Sequence, residues 1–167
     1  MLHQRTLAKK VSVTGIGIHS GKKVTLDLYP AVADFGIQFK RIDIEGACPI
    51  KATVETVGAT ENNTTLGEGE NSVHTVEHLL SVLYGLGIDN VYCEINGPEV
   101  PIMDGSGASF VFLFRETGIA TLSASKKFFV ILEPITVQVG DKWAAICPSS
   151  KLTIESTIVF SHPMIQE

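Results

Sequence analysis

Hydrophobic and polar residues alternate along the first third of the chain in the manner of β-strands. Within residues 23–29, Val24, Leu26 and Leu28 fall on one face of an extended segment, and mostly polar side chains fall on the other. A period of two residues is typical of a strand with one buried face. Similar patterns predict further strands over residues 11–15, 37–42 and 90–95.

The hydrophobic period lengthens to that of an α-helix over residues 75–85. The apolar residues that recur at helical spacing are Val76, Leu79, Leu80, Leu83 and Leu86. Either Thr75 or Ser72 has a side chain suited to cap the first turn, and Gly85 and Gly87 favour the end of the helix. We therefore predict a short amphipathic helix here.

A second helix is predicted over residues 107–117, with Ser106 as its cap and Gly118 at its end. Its apolar face carries Phe110, Leu113 and Phe114. The polar segment 57–72, rich in Gly, Asn, Thr and Glu, predicts a surface loop or a short hairpin.

The chain changes character after the second helix. Residues 119–127 have the composition of a linker, and only strands are predicted beyond them. These strands span residues 127–132, 135–139, 142–147 and 152–160. A sheet with one apolar face needs a covering layer, and no later helix is predicted to supply one. We therefore expect one domain over residues 1–120, followed over residues 121–167 by a linker and the incomplete start of a second domain.

Composition narrows the class of function. Hydrophobic residues make up 44% of the chain and charged residues 19%, so a globular core is expected. The formal net charge is −5 without a basic run, which argues against nonspecific nucleic-acid binding. No stretch approaches the roughly 20 apolar residues that span a bilayer, and the N-terminus has no signal-peptide core. We expect a soluble, cytoplasmic protein with no membrane span.

Cysteine spacing argues against a cysteine-based metal site. The three cysteines, Cys48, Cys93 and Cys147, are far apart and form no C-x-x-C pair. We expect them to be buried, reduced thiols that behave as small apolar residues.

The sharpest chemical motif is HTVEH at residues 74–78. It fits H-x-x-E-H, in which two histidines one helical turn apart share a zinc ion and the glutamate is the general base. If Thr75 caps the helix, however, His74 lies outside the helical register. A second interpretation keeps only Glu77 as base and His78 as metal ligand. Glu77 equally suits the positive end of the helix dipole, and His78 equally suits a surface position.

Several motifs closely resemble those of the UDP-3-O-acyl-N-acetylglucosamine deacetylases of lipid A biosynthesis. They are QRTLAKKVSVTGIGIHSGKKV near the start, TTLG at residues 64–67, HTVEHLLSVLYGLGIDN followed by GPEVPIMDGS, and the later KKF and GDKW. The motifs occur in the family's order with similar gaps. The resemblance extends from Gln4 to about Pro163.

The resemblance implies a metal-dependent amidohydrolase with Zn²⁺ as its cofactor. In that family two histidines and one aspartate hold the metal and leave a position for water, whose pKa the metal lowers. His78 matches the first histidine ligand. Glu77 matches the general base, which takes a proton from the water that attacks the N-acetyl carbonyl. The implied substrate is UDP-3-O-acyl-N-acetylglucosamine.

The family's other two zinc ligands lie in a downstream H-x-x-x-D motif that is absent after residue 78, where the only further histidine is His162. The chain therefore resembles the N-terminal part of the enzyme, with one of three zinc ligands and the base. We expect it to be inactive without the missing C-terminal half.

Other positions match residues near the family's substrate. Lys142 in GDKW and Phe160 in VFSHP match residues beside the uridine diphosphate, where a lysine can meet a phosphate and a ring can stack on uracil. Thr64 lies in the loop expected near the glucosamine. His19 in GIHSG and Asp104 in IMDGS match a histidine near the active site and an aspartate, and each equally suits a turn.

The fold that the resemblance implies is α+β, a two-layer α/β sandwich with a mixed sheet covered by helices on one face. The first strands of a second similar domain would follow, with the active site between the two domains. The alternative is a non-catalytic binding module that retains the substrate-facing surface.

Overall fold

A computed structural model describes residues 2–159 of the chain. The chain divides into two compact units, one up to Lys126 and one from Lys127 onward. The described residues contain two α-helices and eleven strands, and the strands pair both parallel and antiparallel, so the architecture is α+β.

The first unit contains two α-helices, a five-stranded sheet and two two-stranded sheets. Its strands are β1 (His3–Leu7), β2 (Val11–Ile16), β3 (Lys23–Pro30), β4 (Ile37–Arg41), β5 (Ile50–Lys51), β6 (Leu66–Glu68), β7 (Asn71–Val73), β8 (Val91–Ile95) and β9 (Ile119–Ser125). Its helices are α1 (Glu77–Gly85), α2 (Ala108–Thr117) and a 3₁₀ turn (Val54–Thr56). The strands and helices predicted in this region are confirmed, and the segment 57–72 contains all of the β6–β7 hairpin except its last residue, Val73.

The main sheet has five strands in the order β2-β3-β8-β4-β5. Its neighbouring strands are antiparallel except β4 and β8, which run parallel, so the sheet is mixed. Leu28 and Phe39 both pair with Cys93, one from each side, and alternation places all three on one face. These three residues are fully buried, whereas the opposite face carries partly exposed polar residues such as Asp27 and Glu94.

One hydrophobic core joins the buried face of the sheet to both helices. Leu79 and Leu83 of α1 are fully buried, four residues apart, and so are Phe110 and Phe114 of α2. The rings of the two phenylalanines lie 6.1 Å apart. This spacing places each pair on one side of its helix, which confirms the apolar faces predicted from the sequence.

Gly118 is the C-cap of α2, as predicted, but neither helix has the predicted N-cap. Thr75 has a φ of 57° and Val76 is the N-cap of α1, while Ser72 lies within β7. The N-cap of α2 is Gly107. The Ser106 hydroxyl nevertheless accepts a hydrogen bond of 3.1 Å from the first amide of that helix, so Ser106 does help to satisfy the helix end.

The linker predicted after α2 is wrong, because residues 119–125 are strand β9. This strand pairs antiparallel with β1, so the two ends of the first unit are joined. An ion pair of 2.9 Å between Lys126 and Asp89 lies just beyond it. The small and polar residues of this segment do not predict a strand. The strand is identified by its pairing with β1, which lies more than a hundred positions away in sequence.

The second unit contains one hairpin among its described residues, β10 (Ile135–Val139) and β11 (Lys142–Ile146). These strands agree with the predicted segments 135–139 and 142–147. Residues 127–132 and 152–159 form no strand, so those predictions are wrong, and residue 160 lies outside the described residues. Apolar side chains of the hairpin, including Val137 and Trp143, are exposed.

The cysteines are free, as predicted, but only Cys93 is buried, while Cys48 and Cys147 are exposed. Burial raises the pKa of the Cys93 thiol well above its ordinary value. No helix within residues 2–159 has the length and apolar character required to span a membrane.

We predict that Phe110→Ala lowers the free energy of unfolding of the first unit by about 3–5 kcal/mol, because a fully buried ring leaves a cavity. The matched control is Phe112→Ala on the same helix, whose side chain is 65% exposed and which should cost much less. Urea unfolding followed by circular dichroism measures both changes. Equal losses for the two variants would contradict the core assignment.

Candidate active site

Glu77 is the first residue of α1, and its carboxylate is held by a loop. The backbone N–H of Thr64 donates to Glu77 Oε2 at 3.1 Å. The carbonyl of Thr64 also accepts from the backbone N–H of Val76 at 3.3 Å. The structure therefore brings Thr64 and Glu77, two residues singled out from the sequence, into direct contact.

His78 follows Glu77 in the first turn of α1 and is half-buried. Consecutive helical residues point about 100° apart, so the two side chains leave the helix start in different directions. The carbonyl of His78 accepts a hydrogen bond of 2.8 Å from the Ser81 hydroxyl. A helix N-terminus favours acidic side chains nearby, and Glu77 occupies that position in α1.

His74 does not share a helical face with His78. It precedes the helix and pairs in a parallel bridge with Glu99. Its ring nitrogens meet two hydroxyls, Nδ1 with Thr65 at 2.9 Å and Nε2 with Ser72 at 3.2 Å. Because His74 lies outside α1 and its nitrogens already have partners, the geometry of an H-x-x-E-H zinc site is not formed.

The buried carboxylate of Glu99 connects the glycine-rich loop of residues 17–22 to the residues that precede α1. The side chain is 1% exposed. Its Oε1 accepts from the His19 backbone N–H at 3.0 Å and from the Thr75 hydroxyl at 2.9 Å. Its Oε2 accepts from the Ser20 backbone N–H at 2.8 Å. Glu99 lies in the GPEVPIMDGS motif, but no local sequence signal distinguishes it as a buried charge.

The Glu99 carboxylate is held in its charged form. Burial by itself raises the pKa of a carboxyl group, but hydrogen bonds from Ser20, His19 and Thr75 outweigh burial and bring the pKa of Glu99 below its ordinary value. The fit is close, since a Cβ on Gly17 would clash with Glu99 Oε2. The loop before His19 therefore needs glycine at position 17.

Asp104 forms a turn at the entry to α2. Its carboxylate accepts from the backbone N–H of Ser106 at 3.2 Å and from the Ser106 hydroxyl at 2.9 Å. These bonds lower the pKa of Asp104, with the side-chain bond from Ser106 the largest cause. Asp104 also lines a shallow cavity of about 430 Å³ together with Met103 and Phe112.

The remaining predicted substrate residues lie in the second unit. Lys142 is the exposed first residue of β11, where it pairs with Val139. Phe160 lies outside the described residues.

A larger pocket of about 520 Å³ is lined in part by Lys22, Lys23, Arg41 and His74. Neither Glu77 nor His78 lines it. The Arg41 guanidinium is already engaged, because it donates two hydrogen bonds of 2.7 Å to Asp43 and holds the pKa of that carboxyl below its ordinary range. The pocket is therefore not centred on the Glu77–His78 pair.

The described residues do not assemble a complete metal site. Within residues 2–159, no group of three or more His, Cys, Asp or Glu side chains is placed to hold a metal ion. A tight zinc site needs three or four ligands. His78 can offer one imidazole, so the residues at hand fit part of a zinc site only.

These features define an α+β protein in which an acidic residue and a histidine begin a helix beside a glycine-rich loop. The family model for UDP-3-O-acyl N-acetylglycosamine deacetylase (LpxC) matches residues 4–167. The chain belongs to this family.

Curated relatives share its sequence along nearly its whole length. It is 47% identical over 167 residues to the UDP-3-O-acyl-N-acetylglucosamine deacetylase of Legionella pneumophila, covering 100% of this chain and 55% of the relative. The deacetylase of Colwellia psychrerythraea is 46% identical over 168 residues, with 100% and 55% covered. That of Citrifermentans bemidjiense is 45% identical over 166 residues, with 99% and 54% covered. The chain thus spans about half the length of these relatives.

We predict that the stability contributed by the Glu99 carboxylate depends on pH. Because its pKa is lower in the folded protein than the unfolded value of about 4.3, the contribution is present above that value and is lost as pH falls through the folded pKa. The difference in unfolding free energy between wild type and Glu99→Gln should therefore shrink between pH 7 and pH 3 in urea titrations.

Glu116→Gln is the control for this comparison, since Glu116 is exposed on α2, and it should change stability at pH 7 much less than Glu99→Gln does. A difference between wild type and Glu99→Gln that stays constant down to pH 3 would contradict the assignment.

Proposed function

We propose that this chain is the N-terminal part of a zinc-dependent deacetylase that removes the N-acetyl group of UDP-3-O-acyl-N-acetylglucosamine in lipid A biosynthesis. Acetate and UDP-3-O-acyl-glucosamine would be the products. The observation that carries the proposal is the Glu77 carboxylate, held by the Thr64 amide at the start of α1 in a chain of the deacetylase family.

Glu77 is the proposed general base. Its Oε2 accepts a hydrogen bond from the Thr64 N–H at the start of the helix. The carboxylate would take a proton from the water that attacks the N-acetyl carbonyl. General-base assistance of this kind contributes about 10²- to 10⁴-fold in rate.

His78 is the proposed zinc ligand supplied by this chain. Zinc, when bound, lowers the pKa of water and polarises a carbonyl group. The other ligands of the proposed site would come from a part of the enzyme beyond the described residues. His78 directly follows Glu77 in the first turn of α1, so one helix start would supply both a metal ligand and the base.

Substrate contacts are proposed in both units of the chain. Thr64 would lie near the glucosamine, because its loop already contacts Glu77. Lys142 and Phe160 would bind the uridine diphosphate, through a phosphate and the uracil ring respectively. His19 and Asp104 are proposed as secondary contacts, since each side chain lies beside a turn whose backbone is fixed by hydrogen bonds.

We also propose that the first unit is a two-layer sandwich, supported by the single core shared by the sheet and both helices. The hairpin β10–β11 would begin a second, similar domain that the rest of a longer enzyme completes. Exposed apolar side chains on this hairpin and relatives nearly twice as long support this. We place the enzyme in the cytoplasm, where the free cysteines would stay reduced.

The zinc proposal predicts a weak site in this chain that depends on His78. Calorimetric titration of the 167-residue chain should show low affinity, and His78→Ala should weaken binding further. His74→Gln is the matched control, because both ring nitrogens of His74 meet hydroxyls, and it should leave zinc affinity unchanged. Tight one-to-one binding by this chain alone would show that the ligand set is complete within it.

Activity should require residues beyond this chain. We expect no hydrolysis of UDP-3-O-acyl-N-acetylglucosamine by the chain alone, and hydrolysis after it is joined to the C-terminal half of a relative. In that fusion Glu77→Gln should lower kcat by about 10²- to 10⁴-fold with little change in KM. An inactive fusion that still binds the substrate would favour the alternative of a binding module without catalysis.

A further inference from the structure

Glu99 is a buried charge that the proposed mechanism does not use. Its two oxygens accept hydrogen bonds from three residues in two separate segments, the His19–Ser20 turn and Thr75. Burial of a charge is costly unless the charge is fully hydrogen-bonded. The position of this carboxylate is therefore strongly constrained, and so are the segments that bond to it.

The backbone around Glu99 restrains the residues before α1 as well. The His74 N–H donates to the Pro98 carbonyl at 2.8 Å, and the Val100 N–H donates to the His74 carbonyl at 3.0 Å. These two bonds flank Glu99, whose side chain adds the bond from the Thr75 hydroxyl. Residues 74 and 75 are thus fixed by three hydrogen bonds to one short segment.

A continuous series of contacts runs from Thr75 to the proposed base. Thr75 has a φ of 57°, a left-handed conformation that β-branched residues rarely adopt. The next amide, that of Val76, donates to the Thr64 carbonyl, and the Thr64 amide donates to Glu77 Oε2. A change at Thr75 would therefore alter the backbone that carries Thr64 and the carboxylate of Glu77.

The other side of Glu99 sets the position of His19. The amides of His19 and Ser20 both point at the carboxylate, at 3.0 Å and 2.8 Å. An amide side chain at position 99 would present N–H to one of these donors and lose that bond. A carboxylate is the group that satisfies all three donors at once.

We propose that Glu99 is a positioning residue of the deacetylase site: it fixes Thr75 and the His19–Ser20 turn, and through them the placement of Glu77, His78 and His19. This proposal rests on the proposed function, because it assigns the carboxylate a role in that site. Glu99 contacts no reacting group in this assignment. It acts through the segments that it joins.

The test uses the fusion of this chain to the C-terminal half of a relative and compares Thr75→Val with Thr75→Ser. Valine keeps the branched shape but removes the hydroxyl that bonds Glu99, whereas serine keeps the hydroxyl. We expect Thr75→Val and Glu99→Gln to lower kcat about 10- to 100-fold with little change in KM. Thr75→Ser should retain most of the wild-type activity. Zinc affinity should fall about 10- to 100-fold in the first two variants.

A readout independent of activity is amide hydrogen exchange at Thr64. Its N–H bonds Glu77, so exchange should accelerate in Thr75→Val and Glu99→Gln if Glu99 positions the base. Thr14→Val is the matched control, because Thr14 pairs its hydroxyl with Thr25 at 2.9 Å on the exposed face of the sheet. This variant should leave kcat, zinc affinity and Thr64 exchange unchanged.

The inference is overturned if Glu99→Gln and Thr75→Val lower the melting temperature but leave kcat, zinc affinity and Thr64 exchange at wild-type values. Glu99 would then be a structural residue only. Failure of the proposed function gives a different pattern, in which the wild-type enzyme hydrolyses no substrate. In that event Thr64 exchange still decides whether Glu99 positions Glu77.

Discussion

The parallel pairing of β4 with β8 is the constraint on which the site depends. Parallel neighbours need a long crossover connection, whereas antiparallel neighbours can be joined by a tight turn. Here the crossover contains the β6–β7 hairpin, the Thr64 loop and α1, and it lies between two adjacent strands of one sheet. The loop and the helix start are therefore brought together, and Thr64 meets Glu77.

Two unfavourable local features lie where the crossover enters α1. Thr75 adopts a left-handed backbone conformation, which costs on the order of 1–3 kcal/mol. Glu99 is a carboxylate with almost no exposure to water. Each stabilises the other, because the Thr75 hydroxyl is one of the donors that satisfy Glu99. Features of this kind persist only when surrounding contacts hold them, and they occur often at functional sites.

Helix boundaries illustrate how tertiary contacts override local signals. Thr75 has a suitable side chain for an N-cap, yet its hydroxyl bonds Glu99 instead of the helix. At the start of α1, the Val76 N–H donates to the Thr64 carbonyl, and the Thr64 N–H donates to the Glu77 carboxylate. These two bonds attach the adjoining loop to the helix. Local propensity could not reveal this competition, because the partner at position 99 belongs to a distant segment.

Sequence alone determined the elements whose signal is local: the alternation of β3, the apolar faces of α1 and α2, and the Glu77–His78 pair at a helix start. Tertiary structure decided the rest. The segment of β9 has the composition of a linker, and only its pairing with β1 identifies it as a strand. Glu99 is identified as a hydrogen-bonded buried charge only by donors from two distant segments. Periodicity records which face of an element is buried, whereas pairing and buried charge depend on residues far apart in sequence.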